Sequence, residues 1–151
     1  MTLIPFTSDK YGIKINYPSN WEVVDKEWGI FLAFTGPFED DLLFRPSLVV
    51  DIQDMAEDSM SLEEFTVLSL EEMKQMDTGF KLLEQKETTL IDEKAIRIEH
   101  IGKQASYSLK GLQIWAIHNN AVYALSYTHG EKYYSKYLDI VSEMINSFQK
   151  I

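Results

Sequence analysis

The chain reads as an α+β fold built around an antiparallel sheet. Three observations lead there. Eight segments alternate apolar and polar residues with the period of two expected of strands, whereas only two carry the 3.6-residue period of a helix. The strand segments lie close together in sequence, joined by short reversals such as Asn119-Asn120, a spacing that suits antiparallel neighbours. The helical segments fall between and after the strands and do not alternate with each of them, so the order is that of an α+β arrangement.

The first strand runs from Tyr11 to Tyr17, with Tyr11, Ile13, Ile15 and Tyr17 on one face and Gly12, Lys14 and Asn16 on the other. Pro18 cannot donate to a ladder and ends it. Ser19 or Asn20 can satisfy the next free amides, and Trp21 returns a large ring to the sheet. Strands are predicted over 21–25 and 29–35, then an irregular loop from Gly36 to Arg45, then a strand over 47–54. In that strand Val49, Asp51 and Gln53 face away from Leu48, Val50 and Ile52. Ser61-Leu62-Glu63-Glu64 is a capping box that opens a helix to about Met76, with Leu62, Phe65, Ser69, Met73 and Met76 on its buried side. Extended segments follow at about 80–90, 94–104, 110–118 and 121–128, with a reversal at Leu90-Ile91-Asp92-Glu93-Lys94. From about Glu131 to Phe148 a closing helix carries Tyr134, Leu138, Val141, Ile145 and Phe148, widened by Tyr137, Ile140 and Met144.

At 151 residues and 45% hydrophobic content, the chain is expected to form one domain over 1–151. A domain of that size buries about 70% of its unfolded surface. There is no cysteine, which removes disulfides, thiolate metal sites and thiol nucleophiles. The opening residues lack the basic and apolar regions of a signal peptide, and no apolar run reaches the ~18 residues of a membrane span. The expected location is cytoplasmic as written, or exported if a leader was trimmed.

The net charge of −10 is concentrated. Twelve acids against Arg45 and Lys74 lie between Gly36 and Asp77, a net of −10 in that window, and the remaining twelve acids and twelve bases cancel. Nothing supplies the basic stripe that a nucleic acid or an anionic membrane requires, so a partner is expected to be a basic protein. The acidic face itself is predicted to be contiguous, made by the helix from Ser61 and the 36–58 region.

Tyr11-Gly12-Ile13 through Tyr17-Pro18-Ser19-Asn20-Trp21, Leu112-Gln113-Ile114-Trp115-Ala116-Ile117, Ala121-Val122-Tyr123-Ala124-Leu125-Ser126-Tyr127 and Met144-Ile145-Asn146-Ser147-Phe148 together resemble the PsbP-like family. Its best-known members are the extrinsic photosystem II subunit and a nuclear factor acting on the Ran GTPase. The chain is similar to a stand-alone, prokaryotic-type member. Thr88-Thr89-Leu90-Ile91 and Lys94-Ala95-Ile96-Arg97 also fit, with Asp92 where the family has glycine, a swap that aspartate tolerates in the left-handed region. The resemblance implies helices flanking an antiparallel sheet, an α/β/α sandwich, and a binding scaffold with no general catalytic residue set.

The residues support that expectation. Nucleotide, acyl-transfer and zinc-peptidase motifs do not occur, and His100, His118 and His129 match no compact zinc spacing. His100 and His118 read as core-rim residues and His129 as a capping or solvated one. The expected function is a non-catalytic protein-interaction module, without cofactor, resident metal or enzymatic activity. The alternative is a small-ligand or divalent-cation binding protein, with Asp51, Asp54, Glu57 and Asp58, near Glu39-Asp40-Asp41, offering a weak site for calcium or manganese. Recognition is expected in the loop from Trp28 to Pro46, where Trp28 and Phe38 supply aromatic anchors and Glu39, Asp40, Asp41 and Arg45 supply charge. The competing role for its rings is a lid folded over the sheet.

Overall fold

The computed structural model describes residues 2–26, 31–38, 45–57, 59–104 and 106–151. Along the chain these form β1 (Leu3–Ser8), β2 (Ile13–Pro18), β3 (Glu22–Lys26), β4 (Phe31–Thr35), β5 (Ser47–Asp54), α1 (Leu62–Met76), β6 (Lys81–Leu90), β7 (Glu93–Gln104), β8 (Tyr107–His118) and β9 (Ala121–Gly130). A 3-10 turn at Glu131–Tyr133 leads into α2 (Tyr134–Ser147), and β10 (Gln149–Lys150) ends the chain.

Seven strands make one antiparallel sheet in the order β3-β4-β5-β9-β8-β7-β6, and β1-β2-β10 make a second of three strands. The strand from Tyr11, expected among the others, therefore belongs to a separate small sheet. Its partners carry the reason. β1 pairs along its whole length with β2, and β10 adds Gln149 opposite Lys14 and Lys150 opposite Ile13. Neither partner announces itself by period: β1 contains Pro5, and β10 is two residues long. The alternation in β2 still has its expected purpose, because Ile13 and Ile15 are fully buried.

Residues paired across the large sheet share a face, which sorts the core into two layers. Leu48, Val50, Leu112, Ile114, Ala116, Leu125 and Tyr127 meet α2 and the small sheet, through Tyr134, Tyr137, Val141, Met144, Ile13 and Ile15. On the other face Ile96, Ile98, Trp115 and Val122 meet Leu62, Phe65, Leu70 and Met73 of α1. The helices thus flank the sheet on opposite sides, although sheet predominates. Two tight turns hold the strand order. Asn119 and Asn120 have φ of 49° and 60°, and Ile91 and Asp92 have φ of 49° and 60°. Asparagine and aspartate accept this left-handed geometry; Ile91, β-branched, is strained in it and is retained by its packing on the core.

The capping box forms as expected, with Glu64 N–H donating to Ser61 Oγ at 3.1 Å and Ser61 N–H donating to Glu64 Oε1 at 3.3 Å. Met76 departs from expectation. The helical period puts it on the buried stripe, yet it is 88% exposed, because the last turn of α1 extends past the residues it would pack on. Thr66 is the one residue of α1 that is fully enclosed. Its Oγ1 donates to the Leu62 carbonyl at 2.8 Å and accepts from the Trp115 indole N–H at 2.9 Å, so a buried polar pair pins the helix to the sheet.

Candidate functional site

The outward side of α1 follows from the helical period. With Leu62, Phe65, Thr66, Leu70 and Met73 turned to the sheet, Glu63, Glu64, Val67, Leu68, Glu71 and Glu72 are left to solvent. Val67 is 57% and Leu68 43% exposed. On a helix, residues three and four apart are neighbours, so Val67 lies between Glu63, Glu64 and Glu71, and Leu68 between Glu64, Glu71 and Glu72. Lys94 from β7 reaches Glu63 at 3.1 Å and Glu87 at 3.2 Å, fixing one edge of this surface. A backbone hydrogen bond and Lys94 hold the Glu63 carboxyl below its usual range, and the two glutamates hold Lys94 above its own.

Of the candidate residues in the aromatic loop, Phe38 and Arg45 are described; Trp28, Glu39, Asp40 and Asp41 lie outside the described residues. Arg45 closes the loop's base. Its Nε donates to the Gly36 carbonyl at 2.6 Å, its Nη1 reaches Glu22 Oε2 at 3.3 Å, and its guanidinium sits 4.7 Å from the centroid of the Phe38 ring. The Gly36 amide also donates to the Pro46 carbonyl at 2.9 Å. A side chain at Gly36 would meet Pro46 and Trp21 at 2.8 Å, so only glycine allows this approach. Phe38 is 68% exposed, so this ring is presented outward and does not form a lid.

Strand and helix periods do not by themselves announce a cleft between the β6–β7 edge and α2. A cavity of about 550 Å³ opens there, with Thr88, Thr89 and Arg97 on the sheet side and Ser142, Asn146 and the segment to Lys150 opposite. Arg97 Nη1 lies 3.2 Å from both Glu84 and Glu99, and the Tyr134 hydroxyl donates to Glu99 at 3.0 Å. Burial and the Glu99 carboxylate push the Tyr134 phenol upward, so it stays a donor at neutral pH. One signal was available. Arg97 falls on the face of Ala95, an inward position on strand alternation, where an unpaired cation is costly.

The histidines take structural positions. His129, expected to be solvated, is 1% exposed, with its ring centroid 5.8 Å from Tyr133 and 5.5 Å from Tyr137. His118 Nδ1 is 3.8 Å from Glu93. His100 stacks on Phe80 at 5.3 Å, its Nε2 3.2 Å from Gln113 Nε2, over Gly111, where a Cβ would come within 2.6 Å of the imidazole. Burial lowers its pKa, and the Asp77 carboxylate opposes that shift in part. A depressed imidazole is neutral in the fold and charged in the unfolded chain below about pH 6.5, so its contribution is full above that pH and is lost as pH falls toward the folded value. His100→Gln is therefore expected to flatten the fall in thermal stability between about pH 7 and about pH 5. Identical pH dependence in the two proteins would contradict this assignment.

Asp51 lies on the α1 side of the sheet and accepts from Gln53 Nε2 at 3.2 Å, with burial raising its pKa. Among the described residues, no three of His, Asp and Glu gather so as to hold a metal ion. Nor, among them, is any helix long and apolar enough to cross a membrane.

Residues 3–150 match the family described as PsbP-like protein. The chain belongs to the PsbP-like family. No curated protein matches its sequence. Among solved structures, the PsbP-like fold is shared with CyanoP, the cyanobacterial PsbP of Synechocystis sp. PCC 6803, at 15% identity and a TM-score of 0.71 over 99% of this chain and 92% of that one. LpqN of Mycobacterium tuberculosis, a protein involved in cell envelope biogenesis, is 12% identical with a TM-score of 0.71, over 98% and 90% of the two chains. The protein of unknown function PA94 from Pseudomonas aeruginosa is 14% identical with a TM-score of 0.68, over 93% and 91%. Identities this low relate the PsbP-like folds alone. Family and neighbours are consistent with a non-catalytic module.

Proposed function

We propose that this chain is a non-catalytic protein-interaction module that takes a basic partner on the outer face of α1. The observation that carries the reading is the exposure of Val67 and Leu68 inside a rim of glutamates. Scattered apolar residues on a surface are ordinary, but neighbouring ones ringed by a single sign of charge suit an amphipathic basic segment: the centre buries apolar area and the rim selects for charge. We assign a second contact zone to the aromatic loop, whose described candidate residues are Phe38 and Arg45.

A photo-crosslinker placed at Val67 tests the proposal directly. In extracts of the source cells it is expected to trap a protein with a basic surface segment, and Leu68→Glu in the same chain should abolish the adduct. The absence of a specific adduct, or an adduct indifferent to Leu68→Glu and to reversal at Asp40 and Asp41, would overturn it.

A further inference from the structure

The cavity between the β6–β7 edge and α2 has a chemistry of its own. Leu112 and Ile114 line its sheet side, its walls mix hydroxyl and amide side chains with Ile91 and Ile145, and Arg97 is set into it with a side chain only 21% exposed. Both carboxylate contacts of Arg97, to Glu84 and to Glu99, are made by Nη1. Nε and Nη2 therefore have no acceptor among the described residues. Those two nitrogens form the edge of the guanidinium that matches the two oxygens of a carboxylate in parallel hydrogen bonds.

Charge narrows the class further. Arg97 and Lys86 are balanced by Glu84 and Glu99, with Lys86 Nζ 3.6 Å from Glu84, and Lys150 and Asp92 at the rim cancel as well. A site with no net charge accepts one negative group matched to a guanidinium edge and disfavours a dianion, which the two glutamates would repel. The polar walls at Thr88 and Asn146 suit hydroxyl groups on the body of the ligand. We propose that this cavity binds a small hydroxylated monocarboxylate, its carboxylate held by Nε and Nη2 of Arg97. This site is on the face of the sheet opposite α1, so it is independent of the protein-docking surface.

The test is a titration of the whole chain with gluconate, lactate and glycolate, followed by amide and arginine Nε–H chemical shifts. Glucitol is the neutral twin of gluconate, and inorganic phosphate, used at a pH well above neutrality where it is doubly charged, is the dianion. At least one of the three carboxylates should give saturable shifts at Thr88, Asn146 and the Arg97 side chain, with glucitol and phosphate giving none. Arg97→Lys, which keeps the charge and loses the fork, should weaken binding at least tenfold. Asn146→Trp, on an exposed helical position, should block the cavity while leaving the circular dichroism spectrum unchanged, which separates lost binding from lost folding. Saturation by none of the three acids, equal binding of glucitol or phosphate, or affinity unaffected by either substitution would overturn the proposal.

Discussion

Trp115→Ala is expected to lower the free energy of unfolding by about 3–5 kcal/mol, the cost of emptying a large aromatic site in a well-packed layer. The indole is 1% exposed, packs edge-on against Phe65 with centroids 6.1 Å apart, and anchors the smaller of the two core layers. That layer is the apolar contact between α1 and the sheet, supplemented by the exposed Lys94–Glu63 pair, so the loss should fall locally first. Amide exchange in α1 is expected to accelerate more than exchange in β8 and β9, which the α2 side of the core continues to hold. Thr66→Val isolates the polar part. It keeps the shape and leaves the buried indole N–H without its acceptor, at about 1–3 kcal/mol, whereas Thr66→Ser should retain most of the bond. Urea denaturation measures both. A loss under about 1 kcal/mol for Trp115→Ala would mean that α1 is held by something other than this contact.

The same layer explains why some of the fold was legible and some was not. Strand alternation identified β5 to the residue, because Leu48 and Val50 are buried in one layer while Asp51 and Gln53 look to the other side. The capping box fixed the start of α1, since the side chains of Ser61 and Glu64 each bond the other's backbone and need nothing distant. Asn119-Asn120 marked a hairpin for the same local reason. What escaped depends on distant partners. β1 and β10 exist because β2 offers both of its edges, and a two-residue strand has no period to detect. Met76 obeys the helical spacing of its stripe, but the period cannot say where the supporting layer ends. His129 looked like a solvated residue beside Gly130, and its burial is decided by Tyr133 and Tyr137 folding back over it.

The candidate sites divide along the same line. The acidity and the exposed apolar pair of α1 are local properties of one helix, and the charge concentration was visible in the sequence. The Arg97 cavity joins β6, β7, β8 and the end of α2, and its residues are separated by as much as 62 positions between Thr88 and Lys150. Only the inward register of Arg97 hinted at it.

The most direct measurement of the central claim is the salt dependence of affinity for the crosslinked partner, comparing the native chain with Glu71→Lys/Glu72→Lys. Both glutamates are exposed on the outer side of α1, and reversing them changes the net charge from −10 by four units to −6. If charge on this helix steers and holds a basic segment, native affinity should fall at least about tenfold as salt rises from about 0.05 to about 0.5 M, since the screening length drops through about 8 Å near 0.15 M. The double variant should bind at least about tenfold more weakly at low salt and show a shallower slope. An affinity that ignores salt, or a variant that binds as the native chain does, would contradict the account.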